Sequence, residues 1–156
     1  MSHDPALPPV FQAHFAGLTE QYFATRPDDI FYNCFGCSRD NPDGLRVRCF
    51  KQDGGVVSPV IISRRYQGPP GVAHGGIVAA YLDEILGGAV IARVGKPGIT
   101  GELTVRYVKP VPTETPLLCR ARAVADHGKY VDVEAALEDF ESRAVLATAK
   151  GRFFPR

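Results

Sequence analysis

His74-Gly75-Gly76-Ile77-Val78-Ala79-Ala80-Tyr81-Leu82-Asp83-Glu84-Ile85-Leu86-Gly87 is the stretch on which the reading of the fold turns. Apolar residues recur on every side of it, so a helix built from it must be covered all round. A carboxylate inside such a helix is costly unless it is paired or used for chemistry. The two glycines open the helix, where the first N–H groups lack intrahelical partners and can receive an oxyanion. The helix is expected from about Gly75 to Arg93, closing near Gly95 and Pro97. Helical spacing lines up Gly76, Ala79, Ala80, Asp83 and Gly87 as a stripe of small residues around one acid.

Working outward, the 156 residues suit one domain with its own core. A formal net charge of +1 gives no reason to expect nucleic acid or an anionic membrane as partner. No run of about 18 apolar residues occurs, and the first residues lack a basic-then-apolar pattern, so we expect a cytoplasmic protein. In a reducing compartment Cys34, Cys37, Cys49 and Cys119 stay unbridged. Cys34-x-x-Cys37 stands without a second pair. A zinc site made from it and distant Cys or His residues is the weaker alternative. We expect no metal and no redox cofactor.

Residues 1–8 read as a tail. Val10, Phe11, His14, Phe15, Leu18, Tyr22 and Phe23 fall near helical spacing, predicting a helix from about Val10 to Ala24 that lies on the body of the domain. Residues 33–44 are dense in turn formers. Strands follow at about 45–51 and 55–63, joined through Asp53-Gly54-Gly55, and Gly68-Pro69-Pro70-Gly71 then breaks regular structure. Beyond the helix the period becomes two, starting with Leu103, Val105 and Tyr107 and running through three further strands. Short connections near His127-Gly128 and Phe140-Glu141-Ser142 make these strands antiparallel neighbours. The division is therefore 1–32, tail and helix, and 33–156, an α+β domain. A curved sheet around the central helix covers most of it, and a second copy covers the rest, so a homodimer is expected.

The order of elements, with His-Gly-Gly and an acid nine residues after the histidine, resembles the hotdog-fold thioesterases of the hydroxybenzoyl-CoA and phenylacetyl-CoA type. The resemblance covers about residues 33–154. Gln67-Gly68-Pro69-Pro70-Gly71-Val72-Ala73-His74-Gly75-Gly76 with Asp83 looks like the animal mitochondrial acyl-CoA thioesterases, and Thr100-x-x-Leu103-x-Val105-x-Tyr107-x-Lys109-Pro110 fits that branch. Cys34-Phe35-Gly36-Cys37 with Asn41-Pro42-x-Gly44-Leu45 is similar to many bacterial members. The implied fold is a long central helix wrapped by a curved antiparallel sheet. The implied activity is hydrolysis of an acyl-CoA to free acid and CoA, in a homodimer that can pair again into a dimer of dimers.

The resemblance implies that Asp83 attacks the thioester or activates the attacking water, and that Thr100 helps place that water. The competing reading of Asp83 is an interface acid paired with Arg93 or Arg106, and of Thr100 a plain β-branched strand residue. Of the two glycine amides, Gly76 is the expected oxyanion donor, with Gly75 beside it; glycine here also permits close packing. His74 either orients the substrate carbonyl or hydrogen-bonds the loop. Glu84 is expected to be solvated or salt-bridged. Many relatives carry an asparagine where this chain has Gly68, so a helper donor is absent or replaced by Gln67. Lys109 is taken as a substrate-binding residue; Arg106, Lys150 and Arg152 are further candidates for the CoA phosphates. About 10 Å of helix separates Gly76 from Asp83, too far for one thioester, so the site should be composite across the dimer. The alternative function is a non-catalytic acyl-CoA- or lipid-binding protein of the same fold. A dehydratase fits less well, because that chemistry uses a tunnel histidine and His127 falls in a turn.

Overall fold

The computed structural model describes residues 5–21 and 32–156. The central helix, α2 (Gly75–Val94), starts on the His74 cap and ends at Gly95, whose φ of 75° is left-handed and whose N–H bonds the Ile91 carbonyl at 2.8 Å. Glycine suits that stop because it adopts positive φ without a Cβ penalty. Leu82, Ile85, Leu86, Ala89 and Val90 are fully buried against the sheet. Gly76 stays exposed, and Ala79, Asp83 and Gly87 are only partly covered by this chain. The helix is thus covered on its sheet side, and the small-residue stripe is its open side.

The sheet comprises β1 (Glu20–Gln21), β2 (Cys49–Gln52), β3 (Gly55–Val60), β4 (Gly98–Tyr107), β5 (Leu117–Asp126), β6 (Val131–Asp139) and β7 (Val145–Pro155). Among the described residues these seven strands pair antiparallel in the order β1-β2-β3-β5-β6-β7-β4. Asp53 (φ 50°) and Gly54 (φ 78°) make the β2–β3 hairpin, both with the positive φ of a type I′ turn. Gly128 (φ 80°) and the Asp126 carboxylate, which accepts its N–H at 2.9 Å, turn β5 into β6 after His127. Inward side chains such as Val56, Leu117, Val133, Ala147 and Phe153 meet α2 in one core. Among the described residues no helix is long and apolar enough to cross a membrane.

Three expectations change. The N-terminal helix α1 spans only Pro9–Phe15, not Val10–Ala24. Gly17 at φ 80° ends that direction of chain, and Glu20 then pairs with Phe50 as a seventh strand, ahead of the boundary drawn at residue 33. Tyr22 and Phe23 lie outside the described residues. Phe11 and Phe15 of α1 do pack on the body, against Phe50, Val57 and Leu118 on the outer face of the sheet. Of the two strands ahead of the central helix, β2 starts only at Cys49 instead of about 45, and β3 ends at Val60 instead of about 63.

β4 carries a bulge. Thr100 pairs with Phe153 and Glu102 with Arg152, leaving Gly101 as the extra residue. Paired residues in an antiparallel ladder share a face, so Thr100 faces α2 as Phe153 does. Without the bulge, the alternation set by Leu103 and Val105 would point Thr100 outward. The other edge of β4 pairs with no strand among the described residues.

Candidate active site

Asp83 accepts a hydrogen bond from the Thr100 hydroxyl, Oγ1 to Oδ1 at 2.8 Å. Burial on α2 raises its carboxyl above the ordinary carboxylate value, and the Thr100 hydroxyl pulls it partly back. Neither Arg93 nor Arg106 is bonded to it in this chain; Arg93 lies 3.9 Å from Asp126. Asp83, Thr100 and Gly87 border a cavity of about 80 Å³ that reaches Glu84, Cys37 and Phe153.

The start of α2 differs from expectation in one important respect. The ring of His74 caps the helix, its Nδ1 accepting the Gly76 N–H at 3.0 Å. Gly76 is therefore not the free amide. The Gly75 N–H, one residue earlier, has no partner among the described residues, and Gly75 is exposed. The sequence favoured Gly76 as the donor because it does not show which amide a capping side chain takes. With Nδ1 accepting, the proton of a neutral His74 ring sits on Nε2. The Gly75 carbonyl in turn accepts from the Tyr107 hydroxyl of β4. Tyr107 went unnoticed as a site residue, since alternation marked it only as an inward strand position. It lines, with Lys109, Val72 and Val78, an open hollow of about 310 Å³ beside the helix start. Gln67 closes the Gly-Pro-Pro-Gly loop, its Oε1 accepting the Gly71 N–H at 3.2 Å.

Glu84 overturns the expectation of a solvated acid. It is packed against the Cys34–Cys37 loop, with Oε2 3.9 Å from Cys34 Sγ. A Cβ on Gly36 would lie 1.9 Å from that same oxygen, so only glycine lets the carboxylate come this close. Burial pushes the Glu84 carboxyl up to about 7, aided by the charge of Cys34. A hydrogen bond from the Cys37 side chain holds the Cys34 thiol down to about 5, and the same bond, then burial, raises Cys37. A single step along the helix, about 100°, separates Asp83 from Glu84, so both lie on the part of α2 that the sheet leaves open.

The thioesterase superfamily model matches residues 70–145, from the Gly-Pro-Pro-Gly loop into β7. Over residues 70–145 the chain is similar to the thioesterase superfamily. A solved thioesterase superfamily protein is 31% identical with a TM-score of 0.66, covering 74% of this chain and 56% of its own. The chain thus spans little more than half the length of that relative. Thioesterase superfamily member 2 from zebrafish superposes with a TM-score of 0.69 at 16% identity, over 81% of this chain and 94% of its own. A Streptococcus mutans protein bound to acetyl CoA reaches 0.62 at 23% identity, over 67% and 83%. A search of curated proteins returns no match. The fold is the hotdog fold.

Within this fold the remaining candidates are placed away from Asp83. His127 stands in the β5–β6 turn, its Nε2 3.4 Å from Asp132, as the argument against a dehydratase requires. Arg152 is bonded to Asp132 at 2.8 Å and its guanidinium lies over Tyr130 at 4.0 Å, so it is engaged elsewhere. Lys150 and Arg106 are exposed on strands.

Proposed function

We propose that the chain is an acyl-CoA thioesterase of the Gly-Pro-Pro-Gly branch, working as a homodimer with two composite sites. The observation that carries this is Asp83, an acid raised by burial, bonded to Thr100 and facing a small cavity on the open side of α2. The acetyl-CoA-bound Streptococcus mutans neighbour, and one from Streptococcus pneumoniae with coenzyme A, support CoA as the handle of the substrate. The edge of β4 that pairs with no strand among the described residues, ten residues long with Ile99 and Tyr107 half exposed, invites pairing with a second β4. Such a pair would set two α2 helices antiparallel across their small-residue stripes. Gly75 and Asp83 are about 12 Å apart along one helix, so each site takes Asp83 from one protomer and the helix start from its partner.

In that site the carbonyl oxygen of the thioester rests on the Gly75 N–H, with His74 Nε2–H as a second donor. The Asp83 carboxylate attacks the carbonyl carbon or takes the proton of an attacking water, with Thr100 fixing its orientation. The C–S bond breaks, CoA leaves as its thiol, and water supplies the oxygen of the free acid. Lys109 and Tyr107, at the hollow beside the helix start, meet the substrate outside the reacting bond. No metal or redox group enters these steps.

Thiol release from short-, medium-, long-chain and aryl-CoA thioesters, with wild type beside Asp83→Asn, tests the assignment. Turnover of at least one class should fall by about 10²–10⁴-fold in the variant while the fold is kept. Full activity in Asp83→Asn would sink the assignment. Binding of acyl-CoA without release in wild type would instead favour a non-catalytic acyl-CoA-binding protein.

A further inference from the structure

We propose that Cys34, Cys37 and Glu84 form a zinc-binding site that fastens the 33–44 loop to α2, next to Asp83. This departs from the expectation of no metal. The sequence offered only a lone Cys-x-x-Cys, and the third donor comes from a residue 47 positions beyond Cys37 that read as solvated. Cys49 and Cys119 are buried in the core and take no part.

The donor atoms of the three residues all lie within 4.8 Å of one another. A tetrahedral zinc with Zn–S near 2.3 Å and Zn–O near 2.1 Å sets sulfur and oxygen roughly 3.6 Å apart. Cys34 Sγ and Glu84 Oε2 are 3.9 Å apart, so ordinary side-chain adjustment admits the ion. The loop is already shaped for it. The Cys37 N–H points at Cys34 Sγ at 3.4 Å and the Ser38 N–H bonds the Cys34 carbonyl at 3.1 Å. Leu45 and Val47 anchor the loop by bonding the Phe35 and Gly36 carbonyls, each at 2.8 Å. Gly36, between the cysteines, is the gap through which Glu84 reaches them.

Two thiolates and a carboxylate so close repel one another unless protons or a cation sit among them. A divalent ion displaces those protons and removes the repulsion. Two soft sulfurs with one carboxylate select zinc over magnesium or calcium. Three protein ligands leave a fourth position open. Cys37 and Glu84 border the same cavity as Asp83 and Thr100, so a water there completes the tetrahedron.

The test uses tag-free full-length protein, reduced and purified without chelator, with metal measured by mass spectrometry. Wild type should hold about one zinc per chain and the Cys34→Ser/Cys37→Ser double variant below about a tenth of that. Cobalt in place of zinc should give a thiolate charge-transfer band and the intense visible bands of a tetrahedral ion. Glu84→Gln and Gly36→Ala keep both thiols and should lose zinc to a chromophoric chelator about 10–100-fold more readily, with circular dichroism confirming the fold. Absence of zinc after incubation with a zinc salt would overturn the proposal, as would zinc retained by the double cysteine variant or a Cys34–Cys37 disulfide in the reduced preparation. These readouts do not involve thioester hydrolysis, so they stand or fall apart from the enzymatic assignment.

Discussion

Gly75→Pro removes one hydrogen atom from the proposed site and very little else. Gly75 is the first residue of α2, where proline is tolerated because the N–H there has no intrahelical acceptor. His74, at φ −60° and ψ 134°, already has the extended backbone that a following proline requires. A Cβ at position 75 meets nothing nearer than the Tyr107 hydroxyl at 3.5 Å, an ordinary contact. The variant should melt at or slightly above the wild-type temperature, since a compatible proline adds about 0.4–1 kcal/mol. Loss of a single oxyanion donor costs about 10²–10³ in kcat, or roughly 2.7–4 kcal/mol. The donor acts on charge that develops only in the transition state, so KM should hardly move. Steady-state thiol release with the best acyl-CoA, beside a thermal melt, reads both quantities. A kcat within about threefold of wild type at unchanged stability would refute the Gly75 assignment.

Thr100→Val removes the hydroxyl from Asp83 with little change of shape. Because a hydrogen bond to a charged group contributes about 1.5–3 kcal/mol, kcat/KM should fall about 10–100-fold, and unchanged kcat/KM would return Thr100 to a structural role. His14, partly buried beside Phe140 and Arg143, is held below its ordinary value of 6.5 by burial and then by the charges of Arg143 and Arg120. The folded chain therefore binds this proton less readily than the unfolded one. Stability should decline as pH falls below about 6.5 and level off below the lowered folded value. Melting curves of wild type and His14→Gln across that range check this: the variant should show a flatter decline, and identical slopes would contradict it.

Much of the site was legible because it follows local rules. The helix from Gly75, its glycine stop at Gly95 and the hairpin at Asp53-Gly54 each rest on spacing or turn chemistry that one segment carries alone. What escaped depends on contacts between segments. Whether His74 takes the Gly75 or the Gly76 amide is decided by ring geometry, not by composition. Glu84 has no local mark of its partners, which arrive from a loop on the far side of the sequence. Tyr107 reads as an inward strand residue, and only the placement of β4 at the sheet edge opens it to the helix start. Thr100 faces α2 because of a bulge at Gly101, and a strict period of two turns it away. The N-terminal helix was overextended because helical spacing continued past Gly17, where the backbone turns left-handed.

The composite site is the claim on which the mechanism rests, and mixing two disabled variants tests it most directly. Asp83→Asn and Gly75→Pro, each alone, should be nearly inactive in thiol release. Unfolded together in equal amounts and refolded, half the dimers are hybrids with one intact site of two, giving about a quarter of wild-type activity. A mixture that stays as inactive as its components, with hybrid dimers shown to be present, would place each site within a single chain and contradict the account.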